Sequence, residues 1–302
     1  MPPVRPWLAV LLSAMLLGGC QTSHSPLRPA QMLQNYDDLS HRPFLERIVP
    51  IPPLLLDELR VGDHRPDYQP HQLSTPERSV IETTWRRLPA ELRAVVEARV
   101  VGVYFLDQFE GGGMTYSLWK NGKAKYVLVF NAKILTATIS QWLTFRDNTA
   151  FALAGTQYRL EESVPGDDPA LLWLLIHESA HVFDFAAHPH KPAFGRDFPR
   201  RKDLHFYDVE PKPKVAASEV TSVFDNFSKS GFPSLYGSQN GLEDFAELVA
   251  CGTLEETMGI PVELKLSSPD GTTRTFDALK NAETRKRIDL ALAELAKAKT
   301  LY

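Results

Sequence analysis

Apolar positions along the 302-residue chain fall into a few clear periodicities, and these set the expected elements. Regular structure begins at Thr75-Pro76-Glu77, a capping hydroxyl, a proline at the first helical position and an acid in the first turn. A helix is expected from there to about Leu88, and a second over Ala90–Arg99. Val100-Val101-Gly102-Val103-Tyr104-Phe105-Leu106 reads as a strand of β-branched and aromatic residues. Residues 114–120 and 123–131 flank Asn121-Gly122, the strongest short hairpin signal. Asp168-Pro169 is expected to cap and open a helix over 170–186, whose first half is the apolar run Leu171-Leu172-Trp173-Leu174-Leu175-Ile176. A long Pro- and Gly-rich connection over 187–235 reads as functional loops with scattered short elements. A helix over 242–251 is expected to end at Gly252, followed by a hairpin turning at Asp270-Gly271. An amphipathic helix over 277–299 would turn Leu279, Ile288, Leu292 and Leu295 inward. This order predicts an α+β fold: a small mixed sheet packed on the 170–186 helix, then a helical C-terminal part.

Composition changes this picture little. Hydrophobic residues make up 43% of the chain, enough for a sizeable core. Lys and Arg number 33 against 37 Asp and Glu, and no basic stripe is interleaved with aromatics, so no nucleic-acid partner is expected. Nine of the 23 prolines lie between Pro26 and Pro76, so 20–75 reads as a Pro-rich tether or arm ahead of a domain at 76–302. Part of it is expected to pack through Leu54, Leu55 and Leu56.

Residues 1–19 read as a signal peptide: Arg5, an apolar run from Trp7 to Leu17 too short to span a bilayer, then small residues. Leu17-Gly18-Gly19-Cys20 resembles the lipobox of bacterial lipoproteins. The resemblance implies cleavage before Cys20, its acylation with several chains, and stable attachment to a membrane. By similarity to enteric-type lipoproteins, Gln21 after the cysteine implies the outer membrane, facing the periplasm or the cell surface. With Cys20 lipidated, Cys251 has no disulfide partner and reads as a small buried residue.

The candidate chemistry begins at His177-Glu178-Ser179-Ala180-His181. Histidines at i and i+4 of a helix share one face, so both imidazoles can reach one metal ion, while Glu178 stands beside it as a proton acceptor. Zinc suits two imidazoles and a carboxylate, and one ion per chain is expected. A string of this form arises by chance in roughly one or two such chains per hundred; its place within an apolar helix is what makes a metal site the better reading. A third ligand is expected downstream, where Glu243 and Glu247 lie at i and i+4 among Phe245, Ala246, Leu248 and Val249. One would bind the metal and the other would hydrogen-bond a ligand imidazole. His188, His190, His205, Asp184, Asp208 and Asp225 are alternative ligands. Arg196, Arg200 and Arg201 read as a solvated loop face.

HExxH followed by Glu243-Asp244-Phe245-Ala246-Glu247 resembles the gluzincins, in the branch with anthrax lethal factor and the bacterial Pro-Pro endopeptidases. The resemblance covers about residues 100–255. It implies a zincin-like metallopeptidase domain with His177, His181 and Glu243 as zinc ligands, Glu178 as general base and Glu247 behind the ligands. Tyr236, seven residues before Glu243, would take the place of the tyrosine that stabilises the tetrahedral intermediate. The implied partner is a protein or peptide substrate. The gap from His181 to Glu243 is much longer than in thermolysin-like enzymes, which leaves Glu247 or a loop His or Asp open as the third ligand.

Overall fold

A computed structural model describes residues 28–188, 204–207 and 213–298. The signal-like segment, Cys20, His190, Arg196, Arg200, Arg201 and Asp208 lie outside the described residues. The chain order is α1 (Pro53–Gly62), β1 (Gln69–Pro70), α2 (Thr75–Arg87), α3 (Ala90–Arg99), β2 (Val100–Asp107), β3 (Gly113–Lys120) and β4 (Lys123–Asn131). It continues with α4 (Ile139–Asn148), β5 (Phe151–Ala152), β6 (Arg159–Ser163), α5 (Ala170–Ala187), β7 (Val215–Ala216), α6 (Val220–Phe227) and α7 (Gly241–Gly252). It closes with β8 (Glu263–Ser267), β9 (Thr273–Asp277) and α8 (Ala282–Ala296).

The fold is α+β with small sheets. The main sheet has the order β1-β2-β4-β3. β2 and β4 are parallel; β3 pairs antiparallel with β4 through the expected Asn121-Gly122 turn, and so lies at an edge. A second sheet, β6-β8-β9, carries the expected Asp270-Gly271 hairpin. Alternation along the strands splits the apolar residues between two cores. Val103, Phe105, Leu128 and Phe130 join the core around α5. Val101, Tyr104, Leu106, Val127 and Val129 face the other way.

That second face is covered by the Pro-rich stretch. Leu33, Leu55, Leu56, Leu59 and Tyr68 are buried on it, and Pro53 starts α1 at a position where no amide hydrogen is needed. Leu54, expected to pack, is instead exposed. The described part of the arm, from residue 28, is thus layered on the sheet face opposite α5. Phe44 reaches round to stack on Trp85, and Arg47 donates to the carbonyls of Val96, Glu97 and Val100.

α5 is apolar on all sides and is buried from Ala170 to Asp184, as a helix does when packed on every face. The sheet, α3, α4 and α7 surround it. Two expected caps and one expected boundary differ for local reasons. Asp168 does not cap α5; its carboxylate pairs with Arg87, and Pro169 occupies the cap position. α7 ends at Gly252 as expected, but not through a left-handed glycine cap. The φ of Gly252, −62°, is helical, and a wider turn continues over Thr253–Thr257. A side chain at Gly252 would collide with Ile288 of α8, so glycine is there for close packing. The C-terminal helix starts at Ala282, because extended Asn281 caps it by accepting from the amides of Glu283 and Thr284. Ile288 and Leu295 are buried in it; Leu279 and Leu292 pack at the margin. α4 and β6, not expected from the pattern, complete the layer behind α5.

Candidate metal centre

His177, Glu178 and His181 sit in the middle of α5, all with less than 7% exposure. Burial at this depth demands partners for each polar group. α7 supplies them. Asn240 caps α7 by accepting from the amides of Leu242 and Glu243, which puts Glu243 in the first turn. There the helix N-terminus favours a negative charge. Phe183 stacks on Phe245 and holds the two helices together. Asp244, between the two glutamates, turns the other way and pairs with Arg287 of α8.

Three donor atoms converge. His177 Nε2 is 3.1 Å from His181 Nε2 and 3.2 Å from Glu243 Oε2; His181 Nε2 is 3.4 Å from the same oxygen. Ligand atoms held about 2.0–2.1 Å from a tetrahedral ion are about 3.3 Å apart. The triad therefore has the edge lengths of a metal site, and it is the group that could hold a metal ion among the described residues. Electrostatics agree. Burial would strip the proton from His177, but Glu243 and Glu247 outweigh it and raise its pKa to about 10. Burial works against the Glu243 carboxylate too, and His181 and His177 overcome it, holding it well below the usual range. Such a site calls for a cation, and a divalent ion meets the demand as well as a proton does.

Glu247 lies one turn further along α7, fully buried. Its Oε1 is 3.0 Å from His177 Nδ1, at ion-pair distance though poorly aligned for a hydrogen bond. It belongs behind His177 rather than in the triad. Arg146 Nη1 reaches both its oxygens at 3.0 Å, Trp173 Nε1 donates to Oε1 at 3.3 Å, and Ser234 Oγ donates to Oε2.

Glu178 points to the edge strand. Thr115 Oγ1 donates to its Oε2 at 2.8 Å. A Cβ on Gly113 would lie 2.8 Å from its Oε1, so only glycine leaves the carboxylate its place. Burial pushes the Glu178 pKa up, against the pull of His181 and His177. Among the described residues, no strand pairs with the other side of this strand. Asn131 N donates to Gly112 O, and the register pairs Met114 with Val129 and Tyr116 with Val127. Antiparallel alternation then turns the main-chain groups of Gly113, Thr115 and Ser117 outward. Further along, Trp119 is bridged to Met32 of the arm.

Tyr236 is on a short turn before α7, its ring centroid 6.1 Å from that of His177. Burial raises its pKa well above the ordinary value, with Glu243 adding to the effect. The structure thus brings together all six site residues expected from the motifs. Of the described alternatives, Asp184 and His188 pair with each other, with His188 reaching Glu294 of α8, Asp225 pairs with Arg274, and His205 does not join the triad. Arg146, Thr115, Ser234 and Tyr207 were not singled out from the sequence. Tyr207 packs against Tyr236 at 6.2 Å, with φ of +62° and its amide bonded to Thr149 Oγ1. Only Arg146 had an accessible signal, since Thr138 and Gln141 form a capping box that marks its helix. Comparison with protein-family models, curated proteins and solved structures found no match for this chain.

Proposed function

We propose that this chain is a zinc-dependent endopeptidase with a zincin-like domain. The observation that carries the proposal is the His177–His181–Glu243 triad, with the Glu178 carboxylate beside it and, among the described residues, an edge strand alongside. A zinc ion in the triad would supply Lewis acidity toward a carbonyl and bring the pKa of a water to about 7.

The chain's own residues account for the rest. An extended peptide adds to β3 through the outward groups of Gly113, Thr115 and Ser117, which holds its backbone beside Glu178. Glu178 takes a proton from the attacking water and returns it to the leaving amine. A carboxylate whose pKa is raised by burial suits both steps better than an exposed one. Thr115 fixes its orientation. Tyr236, kept neutral by burial, offers its phenolic hydrogen to the oxygen that gains charge. Glu247 holds the orientation of His177. The envelope location is part of the proposal and rests on Leu17-Gly18-Gly19-Cys20.

The test is digestion of an unbiased peptide library by the zinc-loaded protein. Cleavage that stops with a chelator and returns with zinc is expected. A protein that holds one zinc and cleaves nothing would instead be a zinc-binding envelope lipoprotein.

A further inference from the structure

Arg146 lies on α4, far from the metal motif in sequence, yet it is only 3% exposed and sits directly behind the triad. Its guanidinium makes three kinds of contact. Nη1 reaches both oxygens of Glu247 at 3.0 Å. Nε donates to Asp147 Oδ1 at 2.8 Å. Its Cζ stands 4.8 Å from the centroid of the Tyr236 ring. Glu247 is in turn 3.0 Å from His177 Nδ1. One planar cation therefore touches the carboxylate behind a ligand imidazole and the face of the aromatic ring beside it.

The geometry is costly unless it has a use. A guanidinium taken out of water needs close acids, and removing one partner of such a pair strands the other. Glu247 is fully buried and lies at the junction of α4, α5 and the turn before α7: Arg146, Trp173 and Ser234 all donate to it. Those donors leave its carboxylate little freedom to turn. An imidazole that ligates through Nε2 has its ring fixed by what Nδ1 meets. The path from Arg146 through Glu247 ends 3.0 Å from His177 Nδ1, the ring atom opposite the one that faces the triad.

We propose that Arg146 is a positioning residue of the metal centre, locking Glu247 beneath His177 while supporting the Tyr236 ring. It acts through Glu247 and touches neither metal nor substrate. Lysine keeps the charge, but its single ammonium cannot hold Glu247 and Asp147 through separate nitrogens and lie flat under the ring.

The inference rests on the metal reading above, and the test separates the two. Zinc affinity is measured by competition with a chromophoric chelator for the wild type, Arg146→Lys, Glu247→Gln, Arg146→Lys/Glu247→Gln and Arg146→Met/Glu247→Gln. Arg146→Lys is expected to weaken zinc about tenfold, and at least threefold. In the Glu247→Gln background the same change should cost less than twofold. A loss below threefold, or an equal loss in both backgrounds, overturns the proposal. If Arg146→Lys does not fold, Arg146→Met/Glu247→Gln, which removes both charges together, decides. Affinity within threefold of Glu247→Gln supports the proposal, and a larger loss overturns it. A wild type that binds no zinc removes the metal reading itself.

Discussion

At the scale of residues, the proposed site divides into groups that would hold a cation and one that would move a proton. Glu178 faces Thr115 and Gly113 and makes no contact in the triad edge, so its charge is separable from metal binding. Glu178→Gln should retain zinc in full by elemental analysis and lose at least about a hundredfold in kcat, the scale of general acid–base catalysis. Behind the triad, Glu162 gives a second residue-scale prediction. Burial, with Asp147 beside it, raises its pKa well above the usual value. A carboxyl raised on folding stabilises fully below its unfolded pKa, and that contribution fades as pH rises toward the folded one. Glu162→Gln should therefore gain stability over the wild type in urea titrations at pH 8 and gain little at pH 4. The histidines and both glutamates were legible in the sequence because i,i+4 spacing on a helix is a local rule. Arg146 was not, because its bond to Glu247 joins residues 101 apart. Thr115 was missed for the same reason, its partner being 63 residues away.

At the scale of elements, the strands and helices with strong local chemistry were legible: β4 with its Asn-Gly turn, α3, and the apolar α5. Those set by packing were not. The pattern marks Gly252 as a stop, whereas the close approach of α8 is what requires it. Gly252→Ala should leave α7 helical and push Ile288 away, costing about 1–3 kcal/mol by overpacking. Thermal unfolding measures it, and an unchanged or raised Tm would show that the interface has room. The arm was partly legible. Packing through Leu55 and Leu56 was expected, whereas the part played by Leu59 and Tyr68 in covering one sheet face shows only once the sheet is in place.

At the scale of the whole molecule, the candidate metal site joins α5 to α7, and the charge cluster behind it adds α4. Zinc binding should therefore stabilise the entire domain. At a free concentration one hundred times its Kd, the ion should add about 2.7 kcal/mol, read as a Tm that rises with zinc and falls with a chelator. The N-terminus makes a separate prediction. Metabolic labelling with an alkyne fatty acid in a bacterial host should mark the chain, and Cys20→Ser should abolish the label and free the protein from the membrane fraction. The central claim is that one ion sits among His177, His181 and Glu243. Anomalous diffraction across the zinc edge, on crystals of the zinc-loaded protein, tests it most directly. The account predicts a single peak equidistant from the two Nε2 atoms and bonded to the Glu243 carboxylate. A peak at another set of residues, or no peak at this one, would contradict it.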